Sequence, residues 1–211
     1  MPVLLYCYDA YCNWCYAFSP VISKIAGEFD NRLPVEVLSG GMIITDPPKP
    51  FSVIAAYVKA NCETVTAQTG AEFGHDYLWH INNPDLSDWF PSSLKPAIAL
   101  CIFKEYYPDK QVAFAADLLY ALQYEGRDLC DNEAYRHLLE KYQLNADEFY
   151  TLLKDPIYKE KAQYEFDICR QLHVTGYPTL LLQLSESKFV LIASGYTSFE
   201  VVRQRIAEAL G

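Results

Sequence analysis

No stretch of this 211-residue sequence stays apolar for the roughly 18 residues that a bilayer-spanning helix requires, so no membrane span is expected. No cluster of Lys and Arg stands out. The balance is acidic, with 17 basic against 27 acidic residues and a formal net charge of −10, which argues against non-specific binding to nucleic acid or anionic membrane. The opening Met-Pro-Val-Leu-Leu-Tyr-Cys-Tyr-Asp has no basic leader region, no long apolar segment and no small-residue cleavage site, so a cytoplasmic location is expected. The seven cysteines are odd in number and mostly isolated, unlike a secreted disulfide scaffold. A second C-x-x-C, the usual complement of a closed zinc site, is missing, as are internal repeats and low-complexity tracts.

What is present is ordinary globular material, 51% hydrophobic and 21% charged, enough for one large domain or a domain with an insertion. Tyr (17) and Phe (11) are abundant and suit a core, a groove lining, or an apolar surface for unfolded polypeptide.

The most informative feature is Cys12-Asn13-Trp14-Cys15. It follows an apolar run, Val3 to Tyr8, that suits a buried strand. It opens a helical pattern in which Trp14, Phe18, Ile22, Ile25 and Phe29 recur at helical spacing, with a kink expected at Pro20. Two thiols on a first helical turn can close an intramolecular disulfide, and the free N–H groups and dipole of a helix start favour a thiolate. A lone C-x-x-C is ambiguous between redox and metal chemistry; strand, C-x-x-C and helix in that order favour redox.

Pro34 to Leu38 reads as a second strand ending at Ser39-Gly40-Gly41, which makes a right-handed βαβ unit with parallel strands. After the breaker Asp46-Pro47-Pro48-Lys49-Pro50 the pattern turns helical. Helices are expected over Pro96 to Tyr107, Gln111 to Tyr124 and Asn132 to Tyr142, and after an Asn145 cap, with only shorter ones between residues 51 and 95. A helix over Lys159 to Leu172, a hairpin of Leu180 to Leu184 with Phe189 to Ala193, and a final helix from Ser198 to Leu210 complete the chain.

The order β-α-β, helical block, α-β-β-α resembles a thioredoxin-like α/β fold with a helical insertion. The residues Tyr8-Asp9-Ala10-Tyr11-Cys12-Asn13-Trp14-Cys15-Tyr16, Gly40-Gly41-Met42, Tyr124-Glu125-Gly126-Arg127-Asp128-Leu129 and Val174-Thr175-Gly176-Tyr177-Pro178-Thr179-Leu180 carry a closer resemblance. They are similar to the DsbA-like thioredoxin family, in its cytoplasmic branch related to FrnE and to 2-hydroxychromene-2-carboxylate isomerases. The resemblance implies a discontinuous thioredoxin-like domain, residues 1–48 and 158–211, around a helical insertion of residues 49–157. It implies that Pro178 follows a cis peptide bond and faces the disulfide, and that the Tyr177 backbone pairs with an extended substrate.

On this reading Cys12, at an exposed helix start, is the attacking thiol and Cys15 the resolving thiol. Asn13, Trp14, Gly176, Tyr177 and Pro178 are the expected substrate-binding residues. Asn13 is a candidate donor to the Cys12 thiolate, and Trp14 either contacts substrate or packs beside the site. Asp9 either caps the loop or takes a proton from Cys15, with capping preferred. Gly40 and Gly41 allow positive φ or close backbone approach. No metal site is expected: Cys169 and His173 could supply zinc ligands, but a buried Cys and a surface His account for them better. Cys7, on the strand, and Cys62, Cys101 and Cys130, in helix-like contexts, are expected to be inert.

The expected function is thiol–disulfide exchange on protein or small-molecule disulfides, in the reductase or isomerase direction. The expected partners are disulfide-bearing proteins or small thiols. No resident cofactor is expected, with glutathione left open as a co-substrate. The alternatives are a glutathione-dependent isomerase or transferase of the 2-hydroxychromene-2-carboxylate isomerase or kappa class, which the presence of both Cys12 and Cys15 argues against, and a non-catalytic adaptor.

Overall fold

A computed structural model describes residues 1–29 and 32–211. The apolar run Val3–Tyr8 forms strand β1, helix α1 covers Asn13–Glu28 and strand β2 covers Val35–Ser39. β1 and β2 pair in parallel, from Leu4 opposite Val35 to Tyr8 opposite Ser39. α1 continues through Pro20, which sits on the exposed side of the helix.

Helices α2 (Ala55–Thr69), α3 (His75–Asn82), α4 (Leu94–Tyr106), α5 (Gln111–Gln123), α6 (Arg136–Lys141), α7 (Ala146–Leu152) and α8 (Pro156–Gln171) follow. Strands β3 (Thr179–Ser185) and β4 (Lys188–Ser194) and helix α9 (Phe199–Leu210) end the chain. The sheet order is β2-β1-β3-β4, with β3 antiparallel to both β1 and β4.

The unbroken apolar sequence of β1 is explained by burial on both sides. Leu4, Tyr6 and Tyr8 point into the main core with Phe18 and Ile22 of α1, while Leu5 and Cys7 point the other way, toward Cys169 of α8. The same core continues into the helices, where Phe103 of α4 stacks on Phe114 of α5 at 4.0 Å between ring centroids. Among the described residues no helix is long and apolar enough to cross a membrane.

Three elements depart from the sequence expectation. α2 is a full 15-residue helix where only shorter ones were expected. Its buried stripe is narrow (Ala55, Val58, Cys62 and Val65) and the rest of its surface is polar, so the periodic signal is faint. Residues 132–142 form a 3₁₀ turn, Asn132–Tyr135, before the short α6; the Tyr135 hydroxyl is tied to the Leu129 carbonyl at 2.6 Å. α8 starts earlier than its apolar pattern, because Asp155 caps it and Pro156 occupies the first position, where a missing N–H costs nothing.

An edge strand exposes backbone groups that invite another strand. On β2 those groups are taken by side chains from α4, α5 and α8. Val37 N–H donates to Gln111 Oε1 at 2.7 Å and Ser39 N–H donates to Glu165 Oε2 at 2.8 Å, while Lys104 Nζ donates to the Val37 carbonyl. Lys104 Nζ also lies 2.8 Å from both Glu36 Oε1 and Glu165 Oε1. Burial opposes the ammonium, yet the two carboxylates raise its pKa above the ordinary lysine value. Replacing Lys104 with Met strands the buried Glu165 carboxylate. The variant should lose about 3–5 kcal/mol of stability, read as a lower urea midpoint at unchanged slope.

Candidate active site around Cys12 and Cys15

β1 delivers the chain into the loop Asp9-Ala10-Tyr11, and α1 begins directly after Cys12. Cys12 is the N-cap, with φ −86° and ψ 112°, and its sulfur accepts the Cys15 N–H at 3.2 Å. On its other side the Cys12 thiol donates to the Tyr177 carbonyl at 3.3 Å. The Tyr177–Pro178 peptide is cis. The two thiols and the segment before β3 therefore meet at one point, although 165 residues separate Cys12 from Tyr177.

Cys15 is fully buried. Burial, together with the hydrogen bond and charge of the neighbouring Cys12, drives its thiol well above the ordinary cysteine pKa. Contrary to the expectation of an exposed helix start, Cys12 is also buried, with 5% of its surface accessible. It is reached through a cavity of about 390 Å³ between the start of α1, Met42 and Ile43 after β2, the inner face of α2, and Thr175 to Tyr177. The covering helix is the one whose sequence signal is faint, which is why the burial was not foreseen.

The dipeptide between the thiols is divided in its roles. Trp14 is half-buried and lines the cavity. Asn13 is 5% exposed, and its amide turns inward, donating to Tyr77 Oη at 3.1 Å and Gln123 Oε1 at 2.9 Å. Both amide hydrogens are thereby spent, so Asn13 does not serve as a donor to Cys12. Gln123, fully buried at the end of α5, in turn donates to the carbonyls of Ala10 and Cys12, each at 3.3 Å. Gln123 and Tyr77 were not singled out from the sequence. The one available signal was a polar side chain closing the apolar helix Gln111–Gln123.

Asp9 acts as a loop cap. One carboxylate oxygen accepts Tyr11 N–H at 3.0 Å and the Ser93 hydroxyl at 2.9 Å, and the other accepts Met42 N–H at 2.7 Å. Burial raises its pKa, while these donors pull it back down. Its charge is among the influences that raise Cys15.

Gly40 and Gly41 do different things. The Tyr177 hydroxyl donates to the Gly40 carbonyl at 2.8 Å, and a Cβ on Gly40 would fall 2.1 Å from the Tyr177 ring. Gly41 has φ +70°, the left-handed region that glycine tolerates. Thr175, Gly176 and Tyr177 line the cavity, whereas Pro178 is buried beneath them and does not.

The remaining cysteines lie apart from the pair. Cys7 and Cys169 share the α8 face of the sheet, and Cys169 donates to the Ser39 carbonyl at 3.6 Å. Burial pushes Cys62 up to about 12. Cys130 lies in a turn rather than a helix, with its sulfur 3.5 Å from the Tyr11 hydroxyl. Among the described residues no group of three or more His, Cys, Asp or Glu is placed to hold a metal ion.

Comparison with known proteins matches residues 3–207 to the family model described as a DSBA-like thioredoxin domain. No curated protein matches the sequence. Several solved structures share the fold. A "putative protein disulfide isomerase" from Nitrosomonas europaea has a TM-score of 0.85 at 23% identity, covering 99% of this chain and 97% of that one. The cytosolic disulfide reductase DsbM from Pseudomonas aeruginosa has a TM-score of 0.76 at 24% identity, with the same coverage. A structure of DsbM with GSH has a TM-score of 0.75 at 23% identity, covering 99% and 98%.

The buried, proton-retaining Cys15 and the cavity-facing Cys12 should react unequally. Limited iodoacetamide treatment near neutral pH should label Cys12 well before Cys15, as mapped by peptide mass spectrometry.

Proposed function

The chain belongs to the DSBA-like thioredoxin family, and from that premise we propose that it is a thiol–disulfide oxidoreductase with Cys12 as the attacking and Cys15 as the resolving sulfur. The observation that carries the reading is the double engagement of the Cys12 sulfur. It sits at the helix start, accepting the Cys15 N–H, and lies against the Tyr177 carbonyl. In the reaction, the Cys12 thiolate attacks a substrate disulfide, forming a mixed disulfide and expelling one substrate thiolate. Cys15 then attacks the Cys12 sulfur, giving up its proton as the second substrate sulfur leaves as a thiol. The enzyme ends as the Cys12–Cys15 disulfide and the substrate is reduced by two electrons. An external dithiol or glutathione restores the enzyme.

Bonding Cys12 to substrate removes its negative charge, one of the influences that hold the Cys15 proton. Release therefore becomes easier once it is required. Thr175, Gly176 and Tyr177, with Trp14, form the substrate-binding wall. Pro178 fixes that segment from below, and Asn13 acts on the substrate side only by holding the loop.

The reductive or isomerising direction and a cytoplasmic setting belong to the same reading. They are supported by the uncharged Asn13-Trp14 dipeptide, which offers no cation to stabilise a thiolate, and by the likeness to a cytosolic reductase. So does the division into a thioredoxin-like unit, residues 1–48 and 158–211, and an insertion of residues 49–157. The likeness to a disulfide reductase structure with GSH supports glutathione as a co-substrate, and the second reading is a glutathione-dependent isomerase or transferase.

A glutathione redox titration of the Cys12–Cys15 pair, read by alkylation and mass, tests the direction. A two-electron couple below about −220 mV is expected for a reductase, and one near about −120 mV would make the protein an oxidant. Cys15→Ser should stall as a Cys12-linked mixed disulfide. If Cys15→Ser instead turns over glutathione conjugation at the wild-type rate, the transferase reading replaces this one.

A further inference from the structure

Tyr6 stands on β1 with 1% of its surface exposed, packed in the core that α1 covers. Its ring centroid lies 6.1 Å from that of Phe18 and 5.6 Å from that of Tyr8. Phe18 follows Cys15 by three residues on α1, so the two share the helix face turned to β1, and both are fully buried. The Tyr6 hydroxyl is shut off from solvent and has no hydrogen-bond partner. An unpaired buried hydroxyl costs stability, and a phenylalanine would fill the same space without that cost. The group this hydroxyl faces is the Cys15 sulfur. The Asp9 backbone N–H is directed at the same sulfur from the loop after β1.

Resting on the oxidoreductase reading above, we propose that Tyr6 is a catalytic residue of the resolving step, its hydroxyl donating a hydrogen bond to the Cys15 thiolate as that thiolate attacks Cys12. A thiol sulfur is a weak acceptor and a thiolate a strong one, so the hydroxyl stays unpaired until Cys15 gives up its proton. Burial, with the charges of Cys15, Cys12 and Tyr8, holds Tyr6 well above the ordinary tyrosine pKa. The hydroxyl therefore keeps its own proton and serves as a donor, never as the base. The electron pair of the Cys15 thiolate forms the bond to Cys12, and the pair of the bond from Cys12 to substrate departs with the substrate sulfur. That sulfur takes the Cys15 proton, or leaves it to solvent when it is acidic enough to depart as a thiolate. Cys15 ends uncharged and the Tyr6 hydroxyl is again unpaired. An interaction made only while charge develops on Cys15 lowers the barrier without stabilising the resting dithiol.

The test mixes the reduced full-length protein with a nitrobenzoate disulfide whose thiolate absorbs visible light on release. Capture by Cys12 frees one equivalent and resolution by Cys15 frees a second, the second phase being the one that Cys15→Ser lacks. Tyr6→Phe should slow the second phase about tenfold near neutral pH and move its pH midpoint up by about one unit, while the first phase changes less than about twofold. The titratable groups facing Cys15 are Cys12, Asp9, Tyr6 and Tyr8, and Tyr6→Phe leaves the other three in place. The reduced variant should melt at or above the wild-type temperature, because only an unpaired hydroxyl is lost. A second phase with the wild-type rate and midpoint, or a melting temperature several degrees lower, would overturn the proposal while leaving the exchange chemistry standing. If the wild-type protein releases no second equivalent, the oxidoreductase reading fails and takes this one with it.

Discussion

The site depends on a single carboxylate kept inside the protein. Asp9 gathers the N–H of Tyr11, the N–H of Met42 and the hydroxyl of Ser93, and so ties the loop after β1 to the segment after β2 and to the N-cap of α4. Ser93 extends the link by accepting the Ile43 N–H at 2.9 Å. Each segment brings something different to Cys12: the helix start, one wall of the cavity, and an anchor in the helical block. Burial raises the Asp9 pKa, so the folded state binds that proton more tightly than the unfolded chain does. Its contribution to stability is greatest below the ordinary aspartate value and is lost as pH rises through the folded one. A carboxylate that costs stability at neutral pH is retained here because it accepts three donors at once.

A second layer of restraint lies behind the first. Asn13 donates to both Tyr77 and Gln123, and through Gln123 the carbonyls of Ala10 and Cys12 are held by α5. The thiol pair is therefore positioned by the helical block as much as by the sheet. The aperture to Cys12 is set by α2, a helix whose own sequence is mostly polar.

How much of this was legible in sequence varies with the range of the interaction. The α/β fold class followed from local signals: an apolar run with no alternation, a C-x-x-C at a helix start, and a Pro-containing turn ahead of a hairpin. Positions such as Gly40 were recognisable as special, but which neighbour demanded the glycine was not, because the Tyr177 ring arrives from 137 residues away. The partners Tyr77, Ser93 and Gln123 left almost no trace, since a buried polar residue and a solvated one have the same letter. The burial of Cys12 was missed for a related reason. A helix with only Ala55, Val58, Cys62 and Val65 facing inward carries too weak a pattern to announce that it covers anything.

The sealed edge of β2 has a temporal side. Strands β1 and β2 are complete by residue 39, yet the groups that occupy the β2 edge arrive at residues 104, 111 and 165. A chain emerging from its amino end therefore carries an open strand for more than half of its synthesis, in the company of the cysteines most able to form bonds with strangers. The lysine, glutamine and glutamate that look like ornaments of the finished fold are, for the growing polypeptide, the late closure of its most adhesive surface.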